Sequence, residues 1–339
     1  MTELDQGAQA LATKGEKAMK IGWIGIGRMG LPMVNRLLDA NYSLSVWNRT
    51  REKTAPLAAR GVTIVDTIAD LRECDAVFTM LATGKDLVSV CFGDNGLAAK
   101  EAAKRPKIIV DCSTIGVQES RDIRAKLGET GVDYLAAPVS GNPKCVIAGK
   151  LSSVVSGSAE AFDEVKPIIE AYAVSGVAYV GEGELARICK VAHNVLLGVT
   201  IANLIEVTLM AQKAGVPRHA FLKFINNSVM GSVFTRYKSP ALVNLDWTTT
   251  LTPALMLKDL DLGLESARKL AVPAPVTAAV REVFQAHIGA SSVTPGAERF
   301  EQADFAALFE TTARGAGLIP ESENVQVPSG LEPPERDRA

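Results

Sequence analysis

Two cations stand three positions apart in "GEGELARICKVAHN", residues 181–194, and only one of them is suited to moving a proton. A lysine that is desolvated near another cation loses its proton within reach of neutral pH, whereas a guanidinium effectively never does. Lys190 also lies four residues before Asn194, so on a helix the two project from one face. That pairs a proton carrier with an amide able to orient what it acts on. Arg187 is left as a structural or charge-partner residue.

A second group with chemical meaning is "KIGWIGIGRMG", in which Gly25, Gly27 and Gly30 form GxGxxG after a strand-like run and before the helix-like "LPMVNRLLDA". In that setting the first glycine permits the tight turn, the second lets the backbone approach a pyrophosphate, and the third lets helix and strand pack closely. The free amides at the helix start then bind phosphate charge. The loop residues Ile26, Arg28 and Met29 belong to the same cofactor contact. The next strand ends "SVWNRTREK", where an NAD site would place Asp or Glu against the ribose hydroxyls. Asn48, Arg49 and Thr50 stand there instead, an amide, a guanidinium and a hydroxyl that suit a 2′-phosphate, so NADP(H) is expected, with NAD(H) as the alternative.

These groups need a scaffold. From Met19 to about residue 150 short β-type runs ("KIGWIGI", "LSVWN", "AVFTML", "KIIVDCS") alternate with helical segments, the signature of βαβ units and a parallel sheet. "SVVSGS" and "VAYVGEG" read as two late strands extending that sheet. From about Leu185 helical periods take over. The expected fold class is α/β, a Rossmann-type doubly wound parallel sheet followed by an all-α domain. The expected division is a disordered leader over 1–18, a nucleotide-binding domain over 19–184, a helical domain over 185–315 and a polar, Pro-rich disordered tail over 316–339.

Composition excludes several classes. With 36 basic and 38 acidic residues among 339 and a net charge of −2, evenly mixed, no nucleic acid or acidic membrane surface is expected as a partner. The run from Val191 to Ile205 is too short and too polar to span a bilayer, containing as it does His193, Asn194 and Asn203. Five separated cysteines with no CxxC pair read as reduced, buried thiols of a cytoplasmic protein. Three dispersed histidines, His193, His219 and His287, give no metal-ligand spacing, so no metal is expected.

The chain resembles the β-hydroxyacid dehydrogenase family over nearly all of residues 20 to 310, through "GWIGIGRMGLPMVNRL" with "NRT", "DCSTIG", "APVSGNPKCVIAGKL", "KVAHNVLLGVTIANLIE" and "LMLKDLDLGL" in that order. The family's catalytic lysine opens a long helix as KxxxN with a glutamate sixteen residues on, and Lys190, Asn194 and Glu206 reproduce that spacing. The resemblance implies hydride transfer between nicotinamide and a short hydroxy acid or semialdehyde acid. Lys190 is then the general acid/base and Asn194 orients lysine and substrate. It further implies that Ser140 and Gly141 grip the substrate anion beside Asn142. Leu81, Thr114 and Lys258 touch the cofactor, and Asp259 closes the site. His193 is expected to be a packed helix residue. A homodimer or homotetramer through the helical domain is implied as well.

The sequence departs from the family pattern at Asn142 (glycine in SGG), at Glu184 and Ala186 (the glycines of GxG), at Leu251 (an aromatic) and at Ala136 (an aspartate), all of which bear on substrate identity. Two other readings compete: a non-catalytic NADP-binding sensor or scaffold, and an imine reductase-like enzyme. The retained Lys190 and Asn194 pair argues against the first, and a lysine at this position argues against the second.

Overall fold

The computed structural model describes residues 19–293, 300 and 302–332. The expected leader at 1–18 lies outside them. Nine strands occur among the described residues: β1 Ile21–Ile24, β2 Leu44–Trp47, β3 Thr63–Ile64, β4 Ala76–Thr79, β5 Ile108–Asp111, β6 Asp133–Ala136, β7 Val139–Ser140, β8 Ser152–Val155 and β9 Gly176–Tyr179. The α-helices are α1 Gly30–Asp39, α2 Ala55–Ala58, α3 Gly84–Phe92, α4 Val117–Gly128, α5 Pro143–Ile147, α6 Ala159–Tyr172, α7 Leu185–Lys213, α8 Arg218–Asn227, α9 Val233–Asn244, α10 Pro253–Lys269, α11 Pro275–Val293 and α12 Leu308–Gly315.

Strands β1, β4 and β5 are buried at every position because helices cover both faces of the sheet. The six strands run in the order β3-β2-β1-β4-β5-β6, all parallel, which is a doubly wound Rossmann order. On one face Trp23 stacks on Phe78 at 5.8 Å with Tyr172 edge-on, packed under α1 and α6. The other face buries Ile24, Val77 and Ile109 against Leu87 of α3 and Ile123 of α4. Ligands of such sheets bind outside the carboxyl ends of the strands, where the order reverses between β1 and β4.

The two late strands do not extend this sheet. β8 pairs antiparallel with β7 and parallel with β9 to form a separate three-stranded sheet, joined to β6 only by the bridge Ala136 to Ser156. The turn into Val139–Ser140 gives β8 a nearer partner than the edge of the large sheet.

In the helical domain α7 packs against α8, α10, α11 and α12. Among the described residues it is the one helix long and apolar enough to cross a membrane, with mean hydropathy 1.7 over its most apolar window, yet its inner face (Ile201, Ile205, Leu209) is part of a core with Leu222, Met256, Leu260 and Phe284. Two glycines fix how closely α10 approaches it. A Cβ on Gly263 would meet Val195 at 2.1 Å, and one on Gly198 would meet the Met256 sulfur at 2.8 Å. This close crossing sets Asp259 against Asn194.

The expectation that 316–339 does not pack is corrected over 316–332. Asn244 exchanges two hydrogen bonds with the Val325 backbone, Val325 and Val327 pack on the helical core, and Glu323 binds the start of α8. The polar composition of this stretch is used in specific contacts, and its two valines supply the apolar anchor.

Candidate active site

The glycine loop has the geometry that a pyrophosphate needs. Gly25 sits at φ +101°, and a Cβ there would meet the Met80 carbonyl oxygen at 2.2 Å. A Cβ on Gly30 would lie 1.9 Å from the Gly25 oxygen, so strand and helix can touch only through these two glycines. Gly27 faces open space, and a side chain there would fill it. Helix α1 opens without a side-chain cap; the Gly27 oxygen takes the Leu31 amide and Pro32 has none, so the amides left to meet phosphate charge are those of the Gly27–Gly30 turn. These residues fit a dinucleotide.

At the end of β2 the three predicted residues part company. Asn48 accepts from the Ile26 amide at 2.8 Å and donates to the Thr50 oxygen at 2.6 Å, so both ends of its amide are used in bracing the glycine loop and the turn after β2. Arg49 is 83% exposed and loosely paired with Asp86 at 3.3 Å, free to swing toward a phosphate. Thr50 is exposed beside it. Leu81 donates its amide to Ser113 at 2.8 Å, and Arg28 crosses to the helical domain, donating to the Thr249 oxygen at 2.9 Å.

"DCSTIG" explains how Lys190 is placed. Asp111 ends β5 fully buried and accepts from Thr79 (2.7 Å) and Ser113 (2.6 Å) through one oxygen, and from the Arg187 guanidinium through the other. Arg187 also donates to the Ser113 carbonyl, Ser120 and the Tyr134 hydroxyl. Burial alone would lower its pKa, but Tyr134 and Asp111 raise it. The structural role expected of Arg187 is thus its role in the fold. It clamps the first turn of α7 to the carboxyl end of the sheet, and Lys190 follows three residues later on the same face.

The Lys190 side chain is desolvated by the surrounding protein although the residue keeps some contact with solvent, and it makes no hydrogen bond among the described residues. Burial lowers its pKa from 10.5 to about 8, with the Asp259 carboxylate acting in the opposite sense. Asn194 donates to Asp259 at 2.8 Å, and Asp259 pairs with Lys258 at 3.1 Å. On its other side Asn194 meets His193 Nδ1 at 3.0 Å, and His193 Nε2 lies 2.7 Å from Ser140 Oγ. His193 is therefore no inert packed residue. Its position three after Lys190, on the same helical face, was the available signal.

Ser140 ends β7, and Gly141 follows at φ +132°, where a Cβ would press on Cys145 at 2.9 Å and Leu151 at 3.0 Å. The Asn142 side chain accepts from the Cys145 amide at 3.1 Å, capping α5. The amide that replaces the family's glycine thus serves the helix behind it. Glu184 pairs with Arg124 at 2.6 Å, Ala186 is buried against Ser156, and Ala136 is buried in β6, so these three departures lie outside the cleft. Leu251 does line it.

One cleft of about 730 Å³ is bounded by Arg28 and Met29, by Ser140 to Asn142, and by Lys190, His193 and Asn194 on α7. Lys258, Asp259, Tyr237 and Lys150 complete the wall, the last two not anticipated from the sequence. An adjoining recess of about 440 Å³ shares Thr114, Lys190, Asn194, Lys258 and Asp259. Two expectations fall elsewhere. Glu206 is exposed on a separate groove, and Cys189 is exposed while the other four cysteines are buried. Among the described residues no cluster of metal-binding side chains occurs.

Comparison with known proteins is consistent along the chain. Residues 20–181 match the family described as the NAD binding domain of 6-phosphogluconate dehydrogenase, and residues 184–299 that described as the NAD-binding of NADP-dependent 3-hydroxyisobutyrate dehydrogenase. An uncharacterized oxidoreductase of Bacillus subtilis is 32% identical over 86% of this chain and 99% of its own length. The 2-hydroxy-3-oxopropionate reductase of Escherichia coli is 32% identical over 78% of this chain and 90% of its own. Among solved structures, Psf3 in complex with NADP+ and 2-OPP superposes with TM-score 0.72 at 26% identity, covering 86% of this chain and 99% of that one. A reductive aminase from Aspergillus terreus, at 18% identity and TM-score 0.54, shares the fold alone.

Proposed function

The chain belongs to the β-hydroxyacid dehydrogenase family and is a nicotinamide-dependent oxidoreductase of CH–OH groups, and from that membership we propose an NADP(H)-dependent enzyme acting on a small β-hydroxy acid or semialdehyde acid, with Lys190 as its general acid/base. The observation that carries the proposal is the desolvated, unpaired Lys190 ammonium, with its pKa brought to about 8, on the wall of a cleft that runs from the glycine loop to the Ser140 loop.

A bound nicotinamide supplies or accepts the hydride. In reduction Lys190 as ammonium donates a hydrogen bond to the substrate carbonyl oxygen, stabilises the developing alkoxide and gives up its proton. In oxidation neutral Lys190 takes the hydroxyl proton. Asn194, held by Asp259, keeps the lysine face of α7 against α10, and Ser140 with the amides of the following turn holds the acid group. Arg49 and Thr50 meet the 2′-phosphate, while Asn48 keeps the glycine loop in shape.

The helical domain pairs with a second copy of the chain in this reading. The outward face of α7 leaves Leu196 64% and Met210 68% exposed, beside a groove of about 910 Å³ lined by Val199, Val207, Phe221, Ile225 and Val276. Light scattering on the purified chain tests this, and a monomer would sink it.

The enzymatic proposal is tested by NADPH consumption with glyoxylate, succinic semialdehyde, tartronate semialdehyde, methylmalonate semialdehyde, a sulfonated analogue and a neutral aldehyde, with NADH in parallel. Turnover of an acid that falls roughly 10²–10⁴-fold in Lys190→Ala, with NADPH binding intact, is expected. Tight NADPH binding without turnover of any acid would return the chain to a binding role.

A further inference from the structure

We propose that His193 sets the hydrogen-bonding polarity of Ser140, so that Ser140 grips a carboxylate only when His193 has taken up a proton. The inference rests on the reading of the cleft as the substrate site of an NADP(H)-dependent oxidoreductase, and it makes His193 a positioning residue for that reaction.

The argument follows hydrogen atoms along one chain of contacts. A carboxylate only accepts, so the Asn194 atom 2.8 Å from Asp259 is the amide nitrogen, and the atom 3.0 Å from His193 Nδ1 is the amide oxygen. An amide oxygen only accepts, so Nδ1 carries a hydrogen. A neutral imidazole has one N–H, so Nε2 is then an acceptor and the Ser140 hydroxyl, 2.7 Å away, must donate to it. Its hydrogen is committed, and Ser140 offers a ligand only lone pairs. Facing a carboxylate, that arrangement sets acceptor against acceptor. When His193 is protonated, Nε2–H donates to Ser140 Oγ and the serine hydrogen is released toward the cleft. No heavy atom has to move between the two states.

The network also blocks the other escape. Rotating the Asn194 amide to change the tautomer would place its oxygen against Asp259, two acceptors in contact within a buried site. The other Asp259 oxygen pairs with Lys258 at 3.1 Å. The titratable and charged groups around His193 are Lys190 and Cys189 on its own helix, Lys258 and Asp259 on α10, and Tyr237 on α9. Cys145 of α5, Lys150 beyond it and Arg28 of the glycine loop complete the set. Burial, and then the Lys190 charge, lower the His193 pKa, with the Asn194 contact opposing them, so the unliganded cleft holds the neutral ring. A bound anion reverses the balance and draws the proton in.

The consequence is selective. At neutral pH the resting site favours a substrate that presents a hydrogen-bond donor to Ser140, and a carboxylate is accepted together with one proton.

The test uses the NADP+-loaded enzyme and propionate, an anion throughout the interval from pH 6 to 7, where Lys190 stays mostly an ammonium, with propionamide as the neutral control. Native enzyme is expected to bind propionate more weakly as pH rises, by up to about tenfold per pH unit, with proton uptake seen by calorimetry in two buffers of different ionisation enthalpy. His193→Gln replaces the imidazole with an amide whose N–H can donate to Ser140 at every pH, so propionate binding and the KM of an acid substrate lose their pH dependence. Ser140→Ala binds propionate weakly and without a slope. A flat profile in the native enzyme, an unchanged slope in His193→Gln, or no propionate binding while an acid is still turned over each overturns the inference. Absence of NADPH-dependent turnover in the native enzyme would instead strike the underlying functional reading.

Discussion

Arg187 and Asp111 form a fully buried ion pair between the first turn of α7 and the carboxyl end of β5, so the helix that carries the proposed proton donor is clamped to the sheet that carries the cofactor loop. A buried pair adds little net stability over an apolar replacement, but removing one partner strands the other charge. Arg187→Met leaves Asp111 unpaired and is expected to cost roughly 3–5 kcal/mol in urea unfolding. Arg187→Lys rescues the charge without the fork that reaches Asp111, Ser113, Ser120 and Tyr134 together, and recovers only part of that loss.

Lys190 carries opposite signatures in activity and stability. Its pKa of about 8 predicts that kcat/KM for oxidation rises tenfold per pH unit up to about 8 and then levels, while reduction declines above that point. Folding is the converse. In the unfolded chain the group returns to 10.5, so below pH 8 both states are protonated and the native state bears the whole cost of a desolvated ammonium. Between 8 and 10.5 the unfolded chain binds more protons, and native stability rises with pH. Lys190→Met should therefore be inactive yet more stable at pH 7 by about 3 kcal/mol, with the gain shrinking as pH approaches 10, as read from melting curves across that range.

In the proposed reading Arg49 sets the preference for NADP(H). A guanidinium that trades its loose contact with Asp86 for a 2′-phosphate gains charge-assisted hydrogen bonds. Arg49→Ala is expected to weaken NADPH binding by roughly 10–100-fold in a fluorescence titration and to leave NADH nearly unchanged. Equal loss for both cofactors would remove Arg49 from that role.

Much of this arrangement is legible in the residues, and the reasons for the rest are physical. Strands β1, β4 and β5 are buried on both faces, so "KIGWIGI", "AVFTML" and "KIIVDCS" read as continuous apolar runs that only a covered parallel sheet explains. The second sheet was not legible, because the register of Ser152–Val155 is decided by an antiparallel partner at Val139–Ser140 that the run itself does not specify. The helical register puts His193 on the Lys190 face, but an imidazole packed there and one hydrogen-bonded there have the same spacing. What separates them is Ser140, 53 residues away. Asn48 and Asn142 stand out in the sequence by position, but whether an amide faces a ligand or a nearby backbone amide is settled only by the local turn.

The stretch after α12 illustrates the same limit and gives a further prediction. Helix α8 begins at Arg218 behind Pro217, with no side-chain cap and no acidic residue in its first turn. Its free amides find their acceptor far along the chain: Glu323 accepts from Arg218 N at 2.7 Å and from His219 N at 3.0 Å, and also contacts His219 Nδ1 at 2.9 Å. A carboxylate at a helix N-terminus satisfies orphan donors and meets the positive end of the helix dipole. Burial opposes ionisation, but the bonds from His219 and Arg218 prevail and hold the Glu323 pKa below its ordinary 4.5. Its contribution is thus full above pH 4.5 and is lost as pH falls through the depressed folded value. Glu323→Ala should cost about 1–2 kcal/mol at pH 7, with the gap between variant and native closing in acid. Hydrogen exchange at the amides of Arg218 and His219 should speed up with it, and slow exchange preserved in the variant would show that these amides are protected by something other than this carboxylate.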